Sequence, residues 1–135
     1  MRKTIDELLQ TPYWVLDILP RQVPKDSPGQ YFTIADYFLQ EPQLTQVKRR
    51  HLSLILKLNC YRDISLDEEE TLNPPPERLA AVIRSRYTFI RFGESMLLSE
   101  PDDTHMTLFN PDPETLALIG TLAVGEGLYL WQPPQ

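Results

Sequence analysis

The sequence predicts a single α+β domain with a mainly antiparallel sheet of four or five strands and helices packed on one face. Three observations support this fold class. Apolar stretches with helical periodicity alternate with short aromatic or β-branched stretches, one short segment is repeated, and turn residues separate neighbouring strand candidates. A chain of 135 residues is long enough to form one domain and to bury a core without disulfides.

The repeated segment is the best guide to the architecture. Residues 73–77 read Asn-Pro-Pro-Pro-Glu, and residues 110–114 read Asn-Pro-Asp-Pro-Glu. Each copy precedes an apolar helical stretch and then an aromatic strand-like stretch. Asn or Asp caps a helix, Pro suits its first turn, and Glu opposes the positive helix end, so the repeat predicts two helix starts. An anion site at paired helix N-termini is the alternative, but the acid in each first turn opposes it.

Residues 1–42 are predicted to form an aromatic and proline-rich N-terminal extension that is partly helical. Residues 4–7 read Thr-Ile-Asp-Glu, a capping box that starts a short helix reaching about residue 10. Residues 13–19 form a compact apolar run whose β-branched content favours a buried strand, with a helical turn as the alternative. A loop with three prolines follows, and residues 31–39 predict a short amphipathic helix.

A core helix is predicted over residues 43–59. Its apolar positions recur at three- and four-residue steps and form one stripe. The members of this stripe are Leu44, Val47, His51, Leu54 and Leu58. We interpret His51 as a hydrogen-bonded, half-buried side chain rather than a ligand. We interpret the basic residues of this helix as a solvated face, with an acidic partner surface as the alternative target. These basic residues are Lys48, Arg49, Arg50 and Lys57.

Residues 60–135 are predicted to form two β-α-β units joined by a hairpin. Helices are expected from about 73 to 84 and from 113 to about 124. Strands are expected over 61–66, 87–92, 96–99, 104–109 and 128–131, with Pro-Asp-Asp at 101–103 as a turn. This arrangement predicts the ferredoxin-like order β-α-β-β-α-β from residue 60 onwards.

The charge distribution is uneven. Residues 1–62 carry nine basic and six acidic side chains, whereas residues 63–135 carry four and thirteen, for a net charge of −6. An acidic C-terminal half opposes binding to phosphate backbones. Cys60 is the single cysteine, no apolar run is long enough to span a membrane, and no apolar segment follows the charged start. We therefore expect a cytoplasmic protein, bacterial in style.

The densest run of groups suited to acid–base chemistry lies over residues 94–105. His105 with Asp103 or Glu94 is the place where an active site of a small hydrolase or transferase is to be sought. Turn chemistry also accounts for the adjacent aspartates of this run. The spacing of His, Cys and acidic residues does not predict a metal site, and no glycine-rich phosphate loop is present, so neither metal nor cofactor is expected. No catalytic signature flanks Cys60.

A third hypothesis is single-stranded nucleic-acid binding. Residues 87–92 read Tyr-Thr-Phe-Ile-Arg-Phe, whose aromatic spacing resembles the RNP1 strand of RNA-recognition motifs. The basic and glycine positions of that motif are not matched, and the stretch falls on the second predicted strand instead of the third. Because the surrounding half is also acidic, a core strand is the favoured interpretation.

The favoured function is protein–protein contact, in a small acidic interaction or regulatory module of the immunity or inhibitor type, and an enzyme is the less favoured alternative. An acidic run can steer a basic partner, and exposed aromatic side chains can anchor it. The expected partner-binding residues are Asp67, Glu68, Glu69 and Glu70 of the acidic run, with Trp14 and Tyr31. The partner and the oligomeric state are not predicted.

Overall fold

The computed structural model of the protein describes residues 2–134. Within this range the chain forms one α+β domain with five helices and a six-stranded antiparallel sheet, which confirms the predicted fold class. The helices are α1 (Ile5–Leu8), α2 (Tyr31–Leu39), α3 (Gln43–Asn59), α4 (Pro76–Ser85) and α5 (Pro113–Gly125). The strands are β1 (Tyr13–Asp17), β2 (Ser65–Leu66), β3 (Thr88–Phe92), β4 (Ser95–Ser99), β5 (Met106–Phe109) and β6 (Tyr129–Trp131).

The strand order in the sheet is β2-β3-β4-β5-β1-β6. Strands β2 to β5 follow one another as antiparallel neighbours, although α4 lies between β2 and β3 in the chain. Strand β1 pairs antiparallel with both β5 and β6, so β5 and β6 run parallel to each other on either side of it. The β5-α5-β6 unit is therefore a β-α-β crossover split by an inserted strand.

The ferredoxin-like order and the count of four or five strands are not confirmed. The difference comes from β1, which belongs to the segment expected to be an N-terminal extension. Leu16 is fully buried in the main core, so β1 lies inside the sheet with ladder partners on both edges. Such pairing satisfies the backbone amides and carbonyls of a strand that is taken out of water.

One face of the sheet carries the main core, and three helices pack on it. The strands contribute Leu16, Ile90, Leu97, Met106 and Leu108. The helices contribute Leu54, Ile55 and Leu58 of α3, Leu79 and Ile83 of α4, and Ile119 and Ala123 of α5. Every member of the apolar stripe predicted for α3 is buried, so periodicity located this layer correctly.

The opposite face of the sheet is covered only in part. Ile5 and Leu8 of α1 pack there against Met96 and Phe109 in a second, smaller core. The predicted capping box starts this helix, because Thr4 Oγ1 accepts from the Glu7 amide and Glu7 Oε1 accepts from the Thr4 amide. The expectation that helices lie on one face is thus wrong for α1. With four residues, α1 covers β3, β4 and part of β5 and leaves the outer strands open.

The repeated segments mark helix starts, as predicted, but their asparagines do not act as the caps. α4 begins after Pro75, and α5 begins after Asp112, which accepts from the Thr115 amide. Asn73 and Asn110 both have a φ of 56°, a left-handed conformation that asparagine tolerates better than most residues. Each copy of the repeat therefore places a left-handed asparagine three residues before the start of a helix.

Asn73 also ties three segments together. Its Oδ1 accepts from the Ile64 amide at 3.0 Å and from Asn59 Nδ2 at 2.7 Å, and its Nδ2 donates to Asp63 Oδ1 at 2.9 Å. Asn110 makes one such side-chain bond, from its Nδ2 to the Glu94 carbonyl at 2.9 Å. Within residues 2–134, each helix is too short or too polar to span a lipid bilayer.

We expect Asn73→Ala to lower the free energy of unfolding by about 2–4 kcal/mol, because it removes these bonds and puts a Cβ-bearing residue without a polar side chain in the left-handed region. Asn73→Gly should cost about 1 kcal/mol less, since glycine adopts that conformation freely. Urea unfolding of both variants measures the difference. Equal losses of unfolding free energy in the two variants would show that the left-handed backbone conformation at residue 73 does not affect stability. Asn110→Gly, with fewer bonds to lose, is the matched control and should cost less than Asn73→Gly.

Candidate functional site

The turn between β4 and β5, residues 100–105, gathers three ionisable side chains. His105 Nδ1 lies 2.9 Å from Asp103 Oδ1, and His105 Nε2 lies 3.1 Å from Glu100 Oε2. The structure thus brings together two residues of the predicted catalytic set, His105 and Asp103. The third, Glu94, lies in the β3–β4 hairpin at the other end of β4, so Glu100 takes the place that was expected for it.

Both ring nitrogens of His105 face carboxylates, so the arrangement requires a proton on each of them. The hydrogen bond to Asp103, helped by the charges of Asp103, Glu100 and Asp17, raises the pKa of His105. Burial alone would raise the pKa of Asp103, but the hydrogen bond and charge of His105 hold it below its usual value. A general base needs a free nitrogen to accept a proton. When both ring nitrogens carry a proton, the imidazolium bonds both carboxylates and clamps the turn.

Glu100, Asp103 and His105 are also a set that a divalent cation can use. One ligand atom from each residue lies within 4.8 Å of the other two. In the arrangement described, the imidazolium ring itself supplies the positive charge between the carboxylates. The expectation that no metal binds here stays a prediction.

Lys48 lies directly behind this turn and is almost completely buried, at 1% exposure. Its Nζ donates to the Glu100 carbonyl at 2.8 Å and to Ser99 Oγ at 3.0 Å. Burial lowers the pKa of Lys48 to about 8, and the nearby Arg84 adds to this effect against the attraction of Asp103 and Glu100. The interpretation of Lys48 as part of a solvated basic face is therefore wrong.

The rest of the expected basic patch is also reduced, because Lys57 pairs with Glu126 at 2.6 Å. Helical periodicity placed Lys48 next to the apolar stripe. Its long side chain reaches past that stripe to polar groups that the sequence does not show to be close.

His51, one turn further along α3, is fully buried rather than half-buried. Its Nε2 lies 3.0 Å from the Thr104 carbonyl, and since a carbonyl can only accept, Nε2 carries the proton. Burial, reinforced by the charge of Lys48, lowers the pKa of His51 to about 3, so the ring is neutral. Among residues 2–134, no group bonds to His51 Nδ1. The hydrogen-bonded structural role predicted for this histidine fits this geometry.

A groove of about 960 Å³ lies over the part of the sheet that α1 leaves open. Its floor consists of side chains from β1, β5 and β6, and the loop over residues 19–30 forms one wall. The groove lining includes Tyr13, Val15, Asp17, Thr107 and Trp131 from the sheet, with His105. A smaller apolar cavity of about 270 Å³ adjoins it between the end of β1 and the start of α2. Asp17 lines both.

α2 forms the rim of the groove and is the most exposed apolar element of the fold. Seven of its nine residues are apolar or aromatic, yet each of the nine, all described, is exposed or only half-buried. Phe32 is 79% exposed, and Tyr31, Ile34, Tyr37 and Leu39 are 42–51% exposed. Its aromatic rings contact one another in edge-on pairs, Tyr31 with Phe32 and Tyr37 with Phe38. This apolar helix does not form part of either core.

The expected partner-binding residues do not converge. Tyr31 lies on α2 at the groove, whereas Trp14 faces the main core and is half-buried. The acidic run lies near β2, at the opposite edge of the sheet, and half of it is neutralised: Asp67 pairs with Arg86 and Glu69 with Arg78. The aromatic strand, for which RNA binding was the less favoured interpretation, places Phe89 against the small core under α1.

Sequence reasoning missed Asp17 and the two residues of α3 that hold the turn. The sequence did contain a signal for Asp17, because a carboxylate between Leu16 and Ile18 interrupts an apolar run. Such an interruption indicates a specific role for the charged residue. Lys48 and His51 gave none beyond their helical positions, since their acceptors are backbone carbonyls more than fifty residues away in the chain.

No protein-family model, curated protein or solved structure matches this chain.

We expect His105→Gln to lower the free energy of unfolding by about 1–2 kcal/mol near pH 5.5, because a charged, half-buried clamp is lost. The pKa of His105 is raised above 6.5 on folding. Its contribution is therefore complete below that pH and disappears as the pH rises through the folded-state value. Urea unfolding should show that the difference in unfolding free energy between wild type and variant is smaller near pH 9 than near pH 5.5. A deficit independent of pH would contradict the clamp, and the control is Glu94→Gln, which removes an acid that does not contact His105.

For Lys48 the sign is opposite. Its pKa falls from 10.5 to about 8 on folding, so the unfolded chain holds more protons between these values and wild-type stability rises with pH. Relative to Lys48→Met, the wild type should gain about 2 kcal/mol of unfolding free energy between pH 7 and pH 10. Chemical denaturation of both proteins across this range measures the gain. An unchanged difference would mean that Lys48 is not a buried ammonium.

Proposed function

We propose that this protein is a small protein-interaction module whose contact surface is the exposed face of α2 together with the adjoining rim of the groove. The observation that carries the proposal is the exposure of an apolar helix that belongs to neither core. Soluble proteins rarely expose a contiguous apolar patch of more than a few hundred Å², and larger patches mark interaction sites.

The size of the patch supports a protein partner. Large aromatic and aliphatic side chains offer about 150–250 Å² each when fully exposed, so the five exposed side chains of α2 present roughly 500 Å². A standard interface covers about 800 Å² on each partner. α2 therefore supplies most of such an area, and neighbouring side chains of the groove can supply the remainder.

The composition of the patch is also that of an interface. Tyr and Phe are enriched at interface centres, while charged groups are depleted there. Asp36 is the one charged residue in the α2 sequence. The acidic run lies at the opposite edge of the sheet and is not part of this surface, and two of its four charges are paired within the protein. An aromatic contact surface thus replaces the charge-based masking of a partner that the sequence suggested.

The second hypothesis, a hydrolase or transferase using His105, receives less support from the geometry. Its imidazole lines the groove, but both nitrogens are engaged by carboxylates. We place the protein in the cytoplasm in this proposal, because its single cysteine, Cys60, is exposed and unpaired, as suits a reducing compartment.

We expect the double variant Phe32→Gln/Tyr37→Gln to lose its protein partner while it keeps its fold. The substitutions remove exposed apolar anchors and leave both cores intact, so the free energy of unfolding should stay within about 0.5–1 kcal/mol of wild type. Capture of tagged protein from the native lysate, quantified by mass spectrometry, compares the variant with the wild type.

The matched control is Tyr61→Gln/Val124→Gln, two side chains that are 63% and 76% exposed but lie outside α2. This control should recover the same partner as the wild type. Equal recovery by the α2 variant would contradict the proposal. A concentration-dependent dimer in sedimentation experiments, abolished by the α2 variant alone, would identify the partner as a second copy of the chain.

A further inference from the structure

The cavity of about 270 Å³ between β1 and α2 has one charged group in its lining, Asp17. The rest of the lining is largely apolar, with Leu19 and Val23 from the loop and Tyr31, Ile34 and Ala35 from α2. The basic loop residues Arg21 and Lys25 line the larger groove but not this cavity. A site with this lining repels anions and accepts an apolar group that carries a positive charge.

The carboxylate of Asp17 is incompletely bonded. Its Oδ1 accepts from the Ile18 amide at 2.7 Å and from Thr104 Oγ1 at 3.2 Å. Among the described residues none donates a hydrogen bond to Asp17 Oδ2, and this oxygen is accessible to solvent. Burial raises the pKa of Asp17, with the hydrogen bond from Ile18 and the charge of His105 acting in the other direction. Oδ2 is therefore the oxygen of this carboxylate that a ligand can bond without displacing a protein donor.

His105, whose charge acts on Asp17, does not bond Asp17 Oδ2. His105 contributes its charge to Asp17, but its two ring nitrogens donate to Asp103 and Glu100. Asp17 Oδ2 is therefore free to accept from water or from the donor of a bound ligand. An ammonium group supplies several strong donors and the compensating charge.

The size of the cavity limits the ligand. About 270 Å³ lies just below the range of roughly 300–1,000 Å³ that is usual for drug-sized ligands, so a compact molecule fits better than a large one. Tyr31 places an aromatic ring in the wall, where it can contact either the apolar body of the ligand or its cation.

We propose that this cavity binds a small primary amine with an apolar or aromatic body, whose ammonium group bonds Asp17 Oδ2 and whose body lies between Leu19, Val23 and Ile34. The cavity shares Tyr31 and Ile34 with the surface proposed for a protein partner, but binding of the amine does not require that partner. A bound amine contacts both α2 and the sheet, because the walls of the cavity come from both elements.

Three probes of similar shape test the proposal: 2-phenylethylammonium, the neutral 2-phenylethanol and the anionic 3-phenylpropionate. Binding to the isolated full chain is followed by amide chemical-shift changes in a titration at neutral pH. The ammonium probe should saturate, with shifts at Asp17, Thr104 and Ile34. The neutral and anionic probes should bind about tenfold more weakly or not at all, because they cannot supply a charged donor to the carboxylate.

Asp17→Asn keeps an acceptor for the Ile18 amide and removes the charge, so it should weaken the ammonium probe by about tenfold or more. Asp26→Asn, an exposed acid of the same loop, is the control and should leave the affinity unchanged. Equal binding of the neutral probe, or full affinity in Asp17→Asn, would overturn the proposal. If Asp17→Asn fails to fold, Ile34→Trp, which fills the cavity from α2, should abolish the same shifts. Loss of partner capture in α2 variants has no bearing on this result.

Discussion

The hydrogen bonds from α3 to the turn between β4 and β5 are the interaction on which the rest of the site depends. Two side chains one helical turn apart, Lys48 and His51, donate to the Glu100 and Thr104 carbonyls across the core. Buried carbonyls at a turn have no ladder partner and need a donor from elsewhere. By supplying both donors, α3 fixes the backbone of the turn, and with it the positions of Asp103, His105 and the Thr104 hydroxyl that bonds Asp17.

Burying these two polar side chains costs free energy, and apolar side chains in their place would not have this cost. Lys48 is an ammonium with its charge largely removed from water, and His51 leaves one ring nitrogen unbonded. Buried polar networks with unmet groups are seldom the most stable solution. The main effect of Lys48 and His51 is to position the irregular turn relative to β1, and it is not to stabilise the fold. A looser turn would leave the Asp17 carboxylate without its Thr104 donor.

The sequence predicted what local periodicity determines and failed where distant segments meet. The stripe of α3, the capping box of α1 and the two helix starts after Asn73 and Asn110 were all readable, because each depends on residues a few positions apart. The insertion of β1 between β5 and β6 was not, since strand order depends on pairing across most of the chain. For the site, Asp103 and Glu94 were the two partners considered for His105, and the structure brings Asp103 to it. The burial of Lys48 and the pairing of Asp67 and Glu69 required three-dimensional contacts that charge patterns do not specify.

The length of α1 explains why part of one face of the sheet is left uncovered. Three helices pack on one face of the six-stranded sheet. On the other face a helix of four residues reaches only the strands near Met96 and Phe109. The loop after β1 spans the uncovered part without filling it, which leaves the groove, and α2 stands beside α3 with its aromatic side chains in water. Stability alone would favour burying those side chains or replacing them with polar ones. Their retention next to an uncovered sheet face is accounted for if this side of the protein is completed by something that binds to it.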